Sequence, residues 1–279
     1  MAEKKVVKKV VKKPSAGEAA AAFVPKKINV YGVDGSVTKQ IDLPKAFSTE
    51  FRPDLINRAA LAIVANSRQP YSPKPRAGLR HSVSTWGKGR GVSRSQRIVG
   101  SFRGAQSPEA VGGRRAHPPR VETNRGKKIN TKEMKLARMS ALAAIANPQR
   151  VQARGHKFSE GVTLPVVISD EAEKIETTKE AMALLEKIGL YDDLVRAENG
   201  KRIRAGRGKM RNRKYRTRKS VLVVTSGTCP ARRSFSNITG VDVTTVDKLN
   251  VSQLAPGGLP GRLTIMSEAA IGKIGGWAA

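Results

Sequence analysis

Apolar residues recur along this chain in two rhythms, and between them lies one long stretch that follows neither. Ile28–Tyr31 and Val37–Leu43 flank Asp34-Gly35, a hairpin-type turn, and so predict a short antiparallel pair. Pro53–Ser67 opens with a proline suited to a helix start and puts Leu55, Ile56, Ala59, Ala60, Ile63 and Val64 on one side. A second helix is expected after Asn130, capped by that residue with Glu133 three positions on. Met134, Leu136, Ala141, Leu142 and Ile145 supply its apolar side until Asn147-Pro148 stops it. The rhythm then changes. Leu164–Ile168, Val221–Val224, Val241–Val243 and Leu263–Met266 are short apolar runs of the kind found in strands covered on both faces. A capping box of Thr177 and Glu180 opens a helix carrying Ala181, Leu184, Leu185 and Ile188, closed by Gly189, and Ser267 caps a last helix. Short apolar strands alternating with helices predict an α/β fold. Its central sheet is mainly parallel, with helices on both faces and right-handed crossovers.

The lapse runs from Ser67 to Lys128. Pro70, Pro73, Pro75, Pro118 and Pro119 interrupt any helix at both of its ends, and no helical or strand period spans it. Loops inside compact domains seldom exceed about 12–15 residues unless they are functional or disordered. These 62 residues, with nine glycines and six prolines, lie between two clear helical patterns. The expected organisation is a basic, disordered tail (1–26) and a single α/β domain (27–279). Inserted between two of its helices is an irregular, extended Arg/Gly-rich loop (67–128) with no core of its own.

Charge sharpens that picture. The chain carries +31 over 279 residues. The loop holds 15 Lys/Arg against two acids, the tail to Lys27 eight lysines against two glutamates, and Lys201–Lys219 eleven cations and no acid. Everything else is almost neutral, with 19 basic and 18 acidic residues. A near-neutral body bearing three cationic attachments points to nucleic acid. An anionic membrane is the poorer fit, because no amphipathic basic helix or lipidation signal accompanies the charge.

Arginine on a glycine-rich backbone presents planar, permanently charged forks to phosphates and stacked bases. The candidate RNA contacts in the loop are Arg76, Arg80, Arg94, Arg97, Arg103, Arg114, Arg115, Arg120 and Arg125. Trp86, Phe102 and Tyr71 could each stack on an unpaired base. A flexible, solvated basic linker is the alternative reading of the same composition, and the tail reads equally as a polyanion-seeking arm or a solvated end. The second basic strip offers Arg202, Arg204, Arg207, Lys209, Arg211, Arg213, Lys214, Arg216 and Arg218. Gly206 and Gly208 deny it a regular helix, so a bent strip running onto the sheet edge is expected, with Arg232 and Arg233 adding to that face.

Catalytic chemistry finds little purchase. The single Cys229 gives no disulfide frame or zinc pair and reads as a small half-buried thiol beside Pro230. His81, His117 and His156 lack ligand spacing, and no apolar run reaches the ~18 residues of a membrane span. The glycine-rich run Gly87–Gly91 has no strand before it or helix after it, as a phosphate loop requires. Asp170, Glu171 and Glu173, and Asp192-Asp193, sit beside helix starts, where acids favour the dipole. No catalytic set, cofactor or metal is expected.

Several motifs taken together resemble a known family. They are Thr85-Trp-Gly-Lys-Gly-Arg90, Ser107-Pro108 before Gly112-Gly113-Arg114-Arg115, and Pro118. Ile28–Tyr31 with Asp34-Gly35-Ser36, Arg58-Ala59, Pro70 with Lys74, Arg76 and Gly78, Ser140–Ala143 and Gly206–Arg213 extend the match over about residues 27–275. In these the chain resembles the universal large-subunit ribosomal protein number four ("L-four") family, of the archaeal/eukaryotic type. The resemblance implies a structural component of the large ribosomal subunit, cytoplasmic, that binds ribosomal RNA early in assembly. Its α/β domain would lie on the outer face of the subunit, with the loop threaded through RNA to the nascent-polypeptide exit tunnel. The implied partners are large-subunit ribosomal RNA, neighbouring large-subunit proteins and the nascent chain. Carried over by motif, Trp86, Gly87, Lys88, Gly89 and Arg90 lie at the tunnel tip, with Arg97 and Arg103 on the return arm. Residues 1–26 have no counterpart in the resemblance, and the long C-terminal extension of eukaryotic members is missing. Two readings from other classes stand beside it: a nucleic-acid-processing enzyme built on the sheet, and a DNA-compacting chromatin protein.

Overall fold

In the computed structural model, which describes residues 27–278, the short apolar runs assemble into one six-stranded sheet. The tail expected at 1–26 lies outside the described residues. The described residues fall into two units, 27–63 with 128–278, and 64–127.

In chain order the elements begin with β1 (Lys27–Tyr31), β2 (Val37–Asp42) and α1 (Pro53–Asn66). Then come β3 (Val83–Ser84) and β4 (Arg97–Ile98), both in the second unit. After them follow α2 (Thr131–Ile145), α3 (Pro148–Ala153), β5 (Val166–Ile168), α4 (Thr178–Ile188) and α5 (Tyr191–Asn199). The remainder is β6 (Arg202–Ile203), β7 (Tyr215–Arg216), β8 (Leu222–Thr225), α6 (Ala231–Ser236), β9 (Asp242–Thr245), α7 (Val251–Leu254), β10 (Thr264–Ser267) and α8 (Glu268–Gly275). The sheet order is β2-β1-β5-β10-β8-β9. Only the β1–β2 hairpin is antiparallel; every other neighbour pair runs parallel.

Side-chain alternation along the strands builds a core on each face. Val30, Val167, Leu222, Val224 and Met266 point to one side, where Ile56 of α1, Leu142 and Ile145 of α2, Leu254 of α7 and Ile271 of α8 cover them. Tyr31, Val166, Ile168, Val223 and Ile265 point to the other, under Leu184 and Leu185 of α4, Leu194 of α5 and Phe235 of α6. The central strands β5, β8 and β10 are buried on both faces, which is why their sequences are continuous apolar runs. Each fully buried aliphatic contributes roughly 1.5–3 kcal/mol, so these two layers hold the unit together.

The N-caps of α4 and α8 form at the expected residues, though at α4 only the Thr177 half of the expected box is made. Thr177 Oγ accepts from the Glu180 amide at 3.3 Å, Gly189 closes α4 in the left-handed region (φ 88°), and Ser267 Oγ accepts from the Ala270 amide at 3.2 Å. Asn130 departs from expectation: its side chain caps nothing. Glu133 does not reach back to it, because its carboxylate pairs with Arg58 of α1 at 3.1 Å. Two apolar residues assigned to helix faces are exposed, Val64 and Leu136, while Ala62 and Ala137 are buried. The reason is steric. The helix α2 packs through Ala137, Ser140, Ala141 and Ala144, and small side chains permit a closer approach than leucine would.

A buried polar seam closes the amino ends of β8, β9 and β10. Arg262, fully buried just before β10, donates from Nε to the Ser220 carbonyl (2.9 Å) and from Nη1 to the Gln253 carbonyl (3.0 Å), and its Nη2 pairs with Asp242 at 2.7 Å. Asp193, also fully buried, accepts from Arg196 Nε (2.8 Å), His156 Nδ1 (3.1 Å), the Lys157 amide (3.1 Å) and Ser220 Oγ. It stands in the first turn of α5, where an acid is expected, and is also the hub that ties α5 to Ser220 at the entry to β8. Burial opposes its ionisation, yet the hydrogen bonds from His156, Arg196 and Ser220 outweigh that and hold its carboxyl well below the usual range.

Breaking a buried pair by removing one partner costs about 3–5 kcal/mol, so Asp193→Asn is expected to lower urea-unfolding stability by that order. The folded carboxyl titrates below the unfolded value of about 3.9, so its stabilisation is complete above roughly pH 4 and fades as pH falls toward the folded value. The wild-type chain should therefore lose stability more steeply than the Asn variant below pH 4. Equal acid slopes, with a stability difference under about 1 kcal/mol, would contradict the assignment.

Candidate nucleic-acid interface

The second unit, residues 64–127, is built from hydrogen bonds around almost no core. Only Ala105 is a buried apolar residue there, at 5% exposure, while Tyr71, Phe102 and Val111 stand more than two-thirds exposed. The pairing of β3 with β4 sets Val83 opposite Ile98 and Ser84 opposite Arg97, so Thr85–Gln96, including Trp86–Arg90, forms the connection between them. Arg97 also bridges to Gly104, and the Gln106 side chain (φ 63°) donates to the carbonyls of Leu79 and His81. Farther along, the chain crosses itself backbone against backbone. A Cβ on Gly78 (φ +82°) would lie 2.7 Å from the Arg114 amide nitrogen, and one on Gly113 would lie 1.9 Å from the Ser107 carbonyl oxygen. Nothing but glycine fits that crossing.

The nine candidate arginines of the loop divide by what they touch. Arg97, Arg114 and Arg125 are half-buried and brace the segment from within. Arg97 Nη1 donates to the Phe102 carbonyl (2.6 Å), Arg114 Nη1 to the Arg115 carbonyl (3.3 Å), and Arg125 Nη2 to the Tyr71 carbonyl (2.9 Å). Arg76, Arg80, Arg94, Arg103, Arg115 and Arg120 are exposed. Among the described residues no cation of 67–128 pairs with a carboxylate.

Trp86 is not the open stacking surface its sequence position suggests. Phe102 packs edge-on against it (4.7 Å between centroids, 77°), and the guanidiniums of Arg97 and Arg90 lie 5.3 and 5.7 Å from its ring centre. Edge packing and cation–π attraction within the chain occupy the ring first. Tyr71 and Phe102 remain 74% and 72% exposed. Around Lys88 the backbone is bare: Gly87, Gly89 and Gly91 take left-handed conformations with nothing within 4 Å of where a Cβ would sit.

Lys201–Lys219 also differs from expectation. Instead of a strip on the sheet edge it is a separate hairpin, β6 paired with β7, whose end is a 3₁₀ turn at Arg207–Met210. Asn212, at φ 59°, and the Gly206–Gly208 stretch turn the chain back before it can join the large sheet. All nine candidate cations of this strip are exposed, and Lys201 and Lys214 lie 5.2 and 5.5 Å from the ring centre of Tyr215. Arg232 and Arg233 are exposed on α6.

The carboxylate clusters serve the fold. Glu173 accepts from the Ser226 amide and hydroxyl at 2.7 and 3.0 Å, and Asp170 accepts from the Ala269 amide at the start of α8. Cys229 is half-buried against the second core. Among the described residues no group of three His, Cys, Asp or Glu is placed to hold a metal ion, and no helix is long and apolar enough to cross a membrane. Sequence reasoning missed Arg154 and His156, which share a cavity with the base of the hairpin. No local pattern marks them, because the residues that meet there come from Arg154 to Leu259 along the chain.

Comparison with known proteins bears on what such a surface serves. The profile of the ribosomal protein L4/L1 family matches residues 41–277. Large ribosomal subunit protein uL4 of Methanococcoides burtonii is 48% identical over 248 residues, which cover 89% of this chain and 97% of that protein. The protein of the same name from Natronomonas pharaonis is 49% identical over 248 residues, 89% of this chain and 98% of its own. That from Archaeoglobus fulgidus is 46% identical over 251 residues, 90% and 99% of the two chains.

The glycine crossing yields a test confined to the second unit. Gly113→Ala should leave the melting of the sheet unit unchanged while exposing residues 64–127 to protease in the RNA-bound state. Gly89→Ser, in open space, should change that protection far less. Equal protection in the two variants would remove the crossing from the account.

Proposed function

The chain belongs to the ribosomal protein L4/L1 family and is a structural component of the large ribosomal subunit, not an enzyme, and from that premise we propose how it works there. It binds large-subunit ribosomal RNA early in assembly, through residues 67–128 and the hairpin at 201–219. The long segment threads between RNA helices and helps to line the nascent-polypeptide exit tunnel, with Trp86, Gly87, Lys88, Gly89 and Arg90 at the tip. The α/β domain anchors it on the outside of the subunit, beside neighbouring large-subunit proteins. The setting is the ribosome in the cytoplasm.

One observation carries this reading. Fifteen cations occupy 67–128, and among the described residues none has a carboxylate partner. Like charges at that density repel unless a polyanion lies among them, and RNA phosphates supply it at close spacing. The arginines that brace the segment internally set its path, and the exposed six supply forks to phosphate oxygens. Bare glycine backbone beside Lys88 lets RNA or a passing peptide approach closely. The charge on the hairpin gives a second contact from the body itself. The segment folds around RNA because it has no apolar interior to fold around alone.

Filter binding across 50–200 mM salt tests the proposal. Contact with about ten phosphates gives a log–log slope of roughly −7 to −9 on ribosomal RNA fragments. Changing Arg76, Arg80, Arg94, Arg103, Arg115 and Arg120 together to Gln should flatten it by about 4–5, at roughly 0.7–0.9 per phosphate. Equal affinity for duplex DNA of the same length would favour a chromatin-type role instead. Deleting Thr85–Gln106 should spare the sheet unit's melting but alter how stalled nascent chains behave on purified ribosomes. Wild-type stalling in that deletion would count against the tip.

A further inference from the structure

The cavity at the base of the hairpin holds about 410 Å3 and is walled by Arg154, Arg196, Arg202, Arg216, Arg218 and Lys219, with the buried His156 among them. No carboxylate lines it. Two carboxylates stand behind the wall and are already committed. Asp193 takes Arg196 and His156, and Asp242 takes Lys219 at 2.7 Å and Arg262. Among the described residues Arg154, Arg202, Arg216 and Arg218 therefore face the cavity with no carboxylate partner.

Arg154 shows the strain of that arrangement. Its Nη2 donates to the Pro256 carbonyl at 3.0 Å, while its Nη1 is shielded from solvent and has no hydrogen-bond partner. Burial first, then repulsion from Arg262 and Arg196, lowers its pKa to about 10. An anion in the cavity would offset the repulsion from Arg262 and Arg196. Because Nη1 is shielded, Arg154 lines the cavity mainly as a source of positive field. The exposed Arg202, Arg216 and Arg218 supply the forks, and Thr217 adds a hydroxyl.

We infer that this cavity is a binding site for a phosphate group. Resting on the RNA-binding role proposed above, the phosphate is a backbone phosphodiester of a single RNA strand that turns inward. Guanidinium forks match phosphate oxygens in pairs. A regular duplex presents its phosphates on a convex surface, whereas an unpaired strand can place one inside a recess. The position is informative too. Lys219 lies three residues before the start of β8, so the cavity lies at the amino ends of the strands. Open parallel sheets bind their nucleotides at the opposite, carboxyl ends, so this is not that crevice.

The test uses the full chain and inorganic pyrophosphate at low salt, followed by calorimetry. One saturable site is expected. Its affinity should fall at least tenfold in Arg154→Gln and in the double variant Arg216→Gln/Arg218→Gln, and be unchanged in Lys179→Gln/Lys248→Gln, two exposed cations outside the cavity. If Arg154→Gln fails to fold, the exposed double variant decides alone. The salt slope for a single-stranded ribosomal RNA fragment should shrink by about 0.7 in the double variant, the share of one phosphate. Pyrophosphate binding that survives both cavity variants overturns the site. Lost pyrophosphate binding with an unchanged RNA slope keeps a phosphate site but makes a free phosphate its occupant. If the full chain showed no preference for ribosomal RNA while the cavity variants still lost pyrophosphate, the RNA role would fall and the cavity would stand.

Discussion

Glu109 and Glu122 are the only acids within 67–128, and neither pairs with any of its fifteen cations. That imbalance constrains everything around it. A segment with one buried apolar side chain gains almost nothing from excluding water, and its charges oppose compaction. A dense array of negative charge would offset that repulsion; the glycines beside Lys88 leave open backbone, whereas those at the crossing are filled by the chain's own backbone. The sheet unit is the reverse case, with two apolar layers closed over the faces of its sheet.

Arginine does three different jobs in the chain, separated by burial. Arg262 is wholly buried, satisfied by carbonyls and Asp242, and closes the amino ends of three strands. Arg97, Arg114 and Arg125 hold carbonyls of their own segment and give it direction. The exposed arginines of the segment and of the hairpin strands pair with no carboxylate among the described residues. Arg154 falls between these classes, half-buried without a carboxylate, which is why its cavity stands out.

Much of the body was legible because local rules and packing agree there. The apolar runs at β5, β8 and β10, the Thr177 and Ser267 caps and the Asp34-Gly35 hairpin obey spacing rules that need no tertiary knowledge. Failures came where a distant residue intervened: Arg58 draws Glu133 away from Asn130, and alanines rather than leucines form the α2 contact. The hub at Asp193 was illegible for the same reason: Arg196 lies on its own helix, but His156 and Ser220 reach it from 37 and 27 residues away. The cationic character of the interface was plain from composition. Which arginines brace and which face outward was not, because that depends on carbonyls brought near by folding.

The central claim is that RNA, and not an interior of its own, orders residues 64–127. Amide hydrogen exchange of the free chain and of the same chain in assembled large subunits measures this directly. The account predicts rapid exchange throughout 64–127 in the free chain beside a protected sheet, and strong protection of both in the subunit. Slow exchange across that segment in the free chain, equal to that of β8 and β10, would contradict it.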